Sequence, residues 1–344
     1  MATFWTDAEI DCTCLRSERI AILGYGSQGH AHALNLRDSG SDVRVAVRPG
    51  PSFDQAQRDG WQPMSVSEAT NWATIVVFCL PDGATPAIYE QEIVPNLHKG
   101  QALIFCHGYH VHFGSIALPA DVDVLLVAPS GPGASLRQLY ADGFGLPCLV
   151  AGQQDFTGSG LNRALAYASA IGCGRAKILE STFKEETETD LFGEQVVLVG
   201  GLMGLVQCGY DTLIRRGYQP EVAYFECLHQ VKLLAELMQR GGIAGMLASI
   251  SDTAHWGAHL AANRVIGEPS KAAMQEILDE ICDGTFAKNW AEENKGGCQN
   301  LRHSWTEVAN SNLQQTGQAL RKSMPFLNRL DAKVEERRNL PPTR

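Results

Sequence analysis

Residues 183–195 read FKEETETDLFGEQ, with four acids between Glu185 and Asp190 and a fifth at Glu194. Asp190 and Glu194 are four apart, so a helix stacks them on one face, where like charges repel by roughly a few tenths of a kcal/mol. Two readings are open for such an edge: a solvated cap, or carboxylates gathered for a cation. Further along, residues 220–232 read PEVAYFECLHQVK and place Glu226 and Gln230 four apart on a second helix. Asp190, Glu194 and Glu226 together form an oxygen-ligand set suited to Mg2+, which takes few carboxylates plus water and substrate oxygens. The neighbouring Glu185, Glu186 and Glu188 are expected to face solvent or to serve structure.

A second chemical signal is Gly24-Tyr25-Gly26-Ser27-Gln28-Gly29, a GxGxxG pattern between the β-branched run RIAILG and an Ala/Leu helix over about 30–39. In that context the first glycine makes the turn, the second admits a pyrophosphate, the third packs helix on strand, and the helix N-terminus faces the phosphates. The bland alternative is a structural glycine turn. The next strand, DVRVAV, ends at Arg48, where an NAD-preferring site would carry an acid. Arg48 with Ser52 suits a 2′-phosphate, hence NADPH, unless Arg48 is simply a solvated loop charge. Asp82 closes the strand after that, as a loop cap or as a contact to the nicotinamide half.

The elements that must hold these residues fall into two blocks. Strand-length apolar runs at 19–24, 42–47, 73–80, 102–106 and 122–128 alternate with helical stretches, the signature of a Rossmann-like, doubly wound parallel α/β sheet. After Phe183 helical patterns take over, at 183–207, 220–240, 270–283 and 301–322, punctuated by Gly241-Gly242 and Gly296-Gly297. We therefore expect an NADP-binding domain over 1–182, an all-helical metal and substrate domain over 183–330, and a frayed charged tail over 331–344. The 344-residue chain carries a net charge of −10, which argues against nucleic acid and membrane as partners. Its ten scattered cysteines and lack of a signal-peptide pattern point to reduced thiols in the cytoplasm. The run 196–210 is too short and Gly-rich for a membrane span, and reads as a core helix.

Several long stretches carry a family resemblance: GYGSQGHAHALNLRDSG, HG at 107–108, GPG at 131–133, ETETDLFGEQ, AYFECLH, GGIAGM, SISDTA and DGTFAKNW. Over about 4–325 the chain resembles the short (class I) ketol-acid reductoisomerases. The resemblance implies a knotted helical second domain and homodimers or higher assemblies with shared active sites. It also implies two Mg2+ ions that bridge the substrate, and NADPH as hydride donor after alkyl migration on a 2-acetohydroxy acid. By the same resemblance Asp190 bridges the two ions, Glu194 is a further ligand and Glu226 serves the second ion. His107 matches the active-site histidine, Ser251 a contact to the substrate carboxylate, and Gly133 a cofactor contact.

The departures from that pattern cluster in the site. Gln230 stands where the family has glutamate, which removes a charge and a good Mg2+ ligand. Ser130 replaces a lysine, Ala134 a histidine, His110 an asparagine, His255 a glutamate (followed by Trp256) and Ala258 an aspartate. His110 and His112 form an H-x-H that a strand would place on one face as a metal site, or they are ordinary polar lining. Alkyl migration needs substrate oxygens polarised by two metals and a nearby cation; hydride transfer needs less. The expected function is therefore a redirected NADPH-dependent ketone or imine reductase of specialised metabolism, with one good Mg2+ site and a compromised second. The alternatives are a true reductoisomerase of valine and isoleucine biosynthesis, which makes branched-chain amino acids, and a non-catalytic NADP-binding protein.

Overall fold

The computed structural model describes residues 2–324, so the expected tail 331–344 lies outside the described residues. The chain divides into two compact units, Met1–Thr189 and Asp190–Arg344.

The first unit is built on an eight-stranded sheet: β1 (Phe4–Trp5), β2 (Arg19–Leu23), β3 (Asp42–Ala46), β4 (Ile75–Phe78), β5 (Ala102–Phe105), β6 (Asp123–Pro129), β7 (Cys148–Gln154) and β8 (Ile178–Glu180). Their order is β1-β8-β7-β6-β5-β4-β2-β3. Strands β2 to β6 pair in parallel, while β7 is antiparallel to β6 and β1 to β8. Apolar side chains leave both faces of the central strands, so each face needs its own helical layer. Ile20 and Ile22 pack with Ala31, Ala33 and Leu36 of the helix Ser27–Asp38. Ala21 and Leu23, on the other face, pack with Val66, Ala69 and Tyr89. The five parallel strands lie where the apolar runs put them. The runs do not disclose β1, β7 or β8, because two are very short and β7 ends in the polar residues of CLVAGQQ.

The chain leaves β2 for β3, then returns to place β4 on the other side of β2. Such a reversal opens a crevice at the C-terminal ends of the two strands, which is where open α/β sheets bind their ligands. Gly24 and Cys79 occupy those two ends.

The second unit is helical, and its helices are more broken than the periodicity suggests. The helix Phe183–Gly193, which begins in the first unit, runs through a π-helical turn, Glu194–Leu198, into Gly200–Arg215. Pro220–Tyr224 likewise passes through a π turn, Phe225–His229, into Val231–Ala248. Within the latter Gly242 takes φ 66°, a left-handed conformation that interrupts the helix at the Gly-Gly pair. Helices Asp252–Val265 and Thr285–Lys295 are additional to those the periodicity indicates, and the stretch 301–322 is two helices, Gln299–Ala309 and Asn312–Ser323. Ser311 caps the second of these by accepting from Gln314 N–H, which resets the chain direction.

The core of this unit is small. Tyr210, Ala223 and Tyr224 are buried together, and Gly317 makes room for the Tyr224 ring: a Cβ there would meet a ring carbon at 2.5 Å. The apolar stretch 196–210 is not the buried core helix its composition suggests. Val197, Leu198, Val199, Met203 and Leu205 are all exposed. The continuous helix Phe183–Arg215 is long and apolar enough to cross a membrane by length and composition alone, with a window of mean hydropathy 1.5 of which 17% is buried.

Candidate active site

The glycine loop joins β2 to the helix Ser27–Asp38, and each glycine answers a different local demand. Gly24 sits at φ 95°, and a Cβ there would lie 2.3 Å from the carbonyl oxygen of Cys79 at the end of β4. A Cβ on Gly29 would lie 2.2 Å from the carbonyl oxygen of Gly24, so the helix can start against the turn only with glycine at that position. Gly26, the N-cap of the helix, differs: a Cβ there would meet nothing within 4 Å. The first and third glycines are thus demanded by the protein itself, while the second faces open space. That is the distribution a pyrophosphate-binding turn requires, and the residues fit a dinucleotide. Gly133 completes the cradle, since its Cβ would fall 2.0 Å from the Ser27 carbonyl oxygen. Gln28 Nε2 donates to Gly131 O at 3.0 Å, tying the same two segments.

Tyr25 lies inside the motif but turns its side chain into the protein. Its hydroxyl donates to Asp59 Oδ2 at 2.9 Å and accepts from Trp61 Nε1 at 2.9 Å. Burial, with the Asp59 carboxylate beside it, pushes its ionisation far above the usual phenol range. Arg48 is exposed just past β3, and Ser52 is half-buried in the helix Pro51–Arg58. Arg48 borders a cavity of about 220 Å³ that Val47, Phe53, Pro63 and Met64 also line. Asp82 is exposed on the loop after β4, with Oδ1 at 3.6 Å from His110 Nε2.

His107 follows β5 and is fixed by a residue that sequence reasoning assigned no chemistry. Its Nδ1 lies 2.9 Å from Glu186 Oε1, and the other carboxylate oxygen of Glu186 accepts the Gly108 N–H at 2.8 Å. Glu186 is 3% exposed. Of the two expectations for this acid, the solvent-facing one fails: Glu186 is buried and serves structure by holding the His107 ring and the Gly108 N–H. Glu188 pairs with His112, Oε1 to Nε2 at 3.3 Å, whereas Glu185 is exposed and accepts from Ser181 Oγ. A signal for Glu186 was present in the helical spacing. Phe183, Glu186 and Thr187 share one face and all three are buried. Gly108 permits the close approach, because a Cβ there would lie 2.3 Å from Thr187 Oγ1.

The H-x-H reading also needs correction. His110 and His112 lie on a short helix, Tyr109–His112, not on a strand. Two residues apart on a helix, they point different ways. His110 Nδ1 meets Ser115 Oγ at 2.6 Å, while His112 turns to Glu188.

In the second unit Asp190 is exposed, and Glu194 and Glu226 lie in the two π turns. Glu194 opens one π turn and Glu226 lies in the other. A π turn inserts a residue into the helix and re-aims the side chains beyond it, and such bulges concentrate at functional sites. Gly200 and Gly201 make the first one possible, since their Cβ atoms would lie 2.2 Å from Gln195 O and 1.8 Å from Val196 O. Hard oxygen donors of this kind fit Mg2+. Gln230 Nε2 donates to Glu226 Oε2 at 2.8 Å, so the amide occupies one oxygen of that carboxylate. Ser130 is exposed at the end of β6, with its N–H bonded to Pro147 O. Ser251 is the N-cap of the helix Asp252–Val265 and accepts from Ala254 N–H at 3.2 Å.

Two family models match the chain: "Acetohydroxy acid isomeroreductase, NADPH-binding domain" over residues 14–177 and "Ketol-acid reductoisomerase, C-terminal domain" over residues 183–326. Among solved structures, an NADH-preferring ketol-acid reductoisomerase from an uncultured archaeon matches with TM-score 0.91 and 40% identity, covering 93% of this chain and 98% of that one. A putative oxidoreductase from Jannaschia sp. matches at TM-score 0.58 and 16% identity, covering 77% of this chain and 97% of that one. A semialdehyde dehydrogenase NAD-binding protein from Cupriavidus necator matches at TM-score 0.58 and 20% identity, covering 77% and 98%. At such low identity the last two show the fold alone. With both family models spanning nearly the whole described chain, and with a nucleotide-binding glycine loop built as geometry demands, this chain belongs to the ketol-acid reductoisomerase family of NAD(P)H-dependent oxidoreductases.

Proposed function

We propose that the chain is an NADPH-dependent reductase of a small keto acid, ketone or imine in which alkyl migration is weakened. The observation that carries this reading is the 2.8 Å bond from Gln230 Nε2 to Glu226 Oε2. A glutamate at 230 would add a negative oxygen ligand. The amide instead donates a proton to the ligand already present, so the carboxylate set loses a charge and has one oxygen engaged. Ser130 supplies no compensating cation. Mg2+ held by Asp190, Glu194 and Glu226 would polarise a substrate oxygen, and a nicotinamide dinucleotide would supply hydride. Glu186 holds the Nδ1–H of His107 and so sets the ring's tautomer, which makes Nε2 the ring position for proton exchange with a reduced carbonyl.

The NADPH preference rests on Arg48, which borders the cavity past β3. Arg48→Ala is expected to weaken kcat/KM for NADPH about tenfold, a loss of about 1.4 kcal/mol, and leave NADH unchanged. Equal losses with both cofactors would remove this basis for the preference. The many exposed large apolar residues of the second unit, Val197 to Val199 and Leu202, Met203 and Leu205 among them, support a homodimer or larger homo-oligomer, since so much apolar surface is rarely left to water. Sedimentation as a monomer at micromolar concentration would sink that assembly. The ten free thiols fit a reducing, cytoplasmic setting.

A second reading, the complete isomerisation and reduction of 2-acetolactate, is favoured by the 40% identity to a ketol-acid reductoisomerase. Consumption of NADPH should be measured against 2-acetolactate, a 3-hydroxy-2-keto acid, plain 2-keto acids and cyclic imines, with and without Mg2+. The proposal expects turnover of one of the last three classes to exceed that of 2-acetolactate. Turnover of 2-acetolactate at the same rate as its isomerised 3-hydroxy-2-keto acid would establish the second reading in its place.

A further inference from the structure

Beneath the glycine loop lies a group of side chains that the proposed reaction does not use. Cys79 ends β4 and Cys106 ends β5, one residue beyond the paired positions Phe78 and Phe105. Their Sγ atoms are 3.5 Å apart. His32 approaches from the helix Ser27–Asp38, and one of its ring nitrogens and the two sulfurs all lie within 4.8 Å of one another. His32 is fully buried, with Nδ1 at 2.8 Å from the Tyr167 hydroxyl and Nε2 without any hydrogen-bond partner. A buried, unpartnered ring nitrogen is costly, and native proteins leave few of them.

We infer that His32, Cys79 and Cys106 form a binding site for a single thiophilic cation, Zn2+, separate from the Mg2+ carboxylates. Two sulfurs on tetrahedral zinc, each at about 2.3 Å, stand about 3.8 Å apart, so the observed spacing needs only a small opening. His32 Nδ1 and the Tyr167 hydroxyl lie 2.8 Å apart, and an ion on Nε2 would select the tautomer in which Nδ1–H donates to the Tyr167 oxygen, the usual arrangement behind a metal-bound histidine. Charge decides between ions. Two thiolates and a neutral imidazole around Zn2+ sum to zero, while Cu+ would leave a net negative charge in an apolar setting. Both cysteines are partly exposed as residues. Binding replaces two S–H protons with two Zn–S bonds and releases the protons to solvent, with no redox change. A small ligand such as water fills the fourth position.

The placement gives the ion a consequence. Cys79 lies directly against the nucleotide turn: its carbonyl oxygen faces Gly24, and its Cβ is 3.2 Å from where a Gly29 Cβ would be. The ion would pin β4, β5 and the phosphate-facing helix to one another, a clamp under the cofactor loop that should raise thermal stability on binding.

The test uses the full chain, reduced and freed of metal, titrated with Co2+ in excess Mg2+. The site predicts one Co2+ per chain with thiolate-to-cobalt absorption in the near ultraviolet, displaced by Zn2+, and a higher Tm with Zn2+. X-ray absorption at the zinc edge should show two sulfurs and one imidazole nitrogen. Cys79→Ser/Cys106→Ala should abolish the absorption, and a cooperative thermal melt followed by circular dichroism reports that this variant is folded. Should it not fold, the zinc-edge spectrum of the unaltered protein decides alone. Absence of the thiolate band, its persistence in the folded variant (an ion held by other thiols such as Cys148 and Cys173), or a zinc edge without two sulfurs would each overturn the assignment. So would a Cys79–Cys106 disulfide that reforms faster than the ion binds.

Discussion

The two units answer the same problem, the satisfaction of polar groups, in opposite ways. In the first, each functional group is held by neighbours in the unit itself. His107 is gripped by a buried glutamate, and the glycine loop is wedged between backbone carbonyls. In the second, Asp190, Glu194 and Glu226 are exposed, as are many apolar side chains, and the buried core around Tyr210 and Tyr224 is small. A closed site tolerates no change of volume, whereas an open site should tolerate changes of charge and report them in ligand affinity. That difference bears on evolution too. Of the positions that the sequence marks as departures, Ser130 is exposed and Gln230 partly exposed, where substitution costs the fold little, whereas His110 is buried.

Mutations can break this contrast. The largest effect is expected at the glycine loop. Gly29→Ala drives a Cβ against the Gly24 carbonyl and should cost about 4 kcal/mol or leave no folded protein. Gly26→Ala, with open space around it, should keep Tm and weaken NADPH at least about tenfold. Equal behaviour of the two variants in thermal melts and cofactor titrations would refute the division of roles among the glycines. Glu186→Ala leaves His107 and the Gly108 N–H without their buried partner and should lower stability by about 3 kcal/mol in urea unfolding, with a shifted pH profile of turnover. An unshifted profile would reduce Glu186 to a purely structural group.

Alkaline pH should also single out the first unit. Burial pushes the Tyr89 phenol up to about 12, and its hydroxyl donates to Ala117 O at 2.9 Å. The unfolded chain ionises this group near pH 10 and the folded chain does not. The associated stability is therefore complete below pH 10 and lost as pH rises towards 12, by roughly 2–3 kcal/mol. Tyr89→Phe should flatten that part of the urea-midpoint curve; an unchanged slope would assign it to other tyrosines. The smallest effect sharpens the contrast from the other side. Gln230→Glu should leave stability within about 0.5 kcal/mol of the parent and tighten Mg2+ about tenfold, with a larger gain for 2-acetolactate than for plain ketones. Equal gains on both substrates would remove the link between Gln230 and alkyl migration.

Much of the first unit is legible in the amino-acid order, because a doubly buried strand must be apolar along its length and a nucleotide turn must carry glycine where backbone meets backbone. Arg19 to Gly29 shows both signals within eleven residues. The second unit is harder to read. A π turn uses the same residue types as the α-helix around it, so the re-aiming of Glu194 and Glu226 leaves no trace except the Gly200-Gly201 pair that permits one of them. Exposure of the 196–210 helix was invisible for the opposite reason: an apolar run looks the same whether its cover is the same chain or another surface.

The sequence by itself determined the family, the order of the main strands and helices, and the kinds of side chain available: a glycine loop, a histidine, a row of acids. Only the tertiary structure decided which acid serves which task. Glu185, Glu186 and Glu188 are alike in charge and nearly alike in position. One faces water, one holds His107 and one meets His112, because a rotation of about 100° per residue carries each to different neighbours. Charge is a property of the residue, but the work it does depends on what the fold brings to within about three ångströms of it.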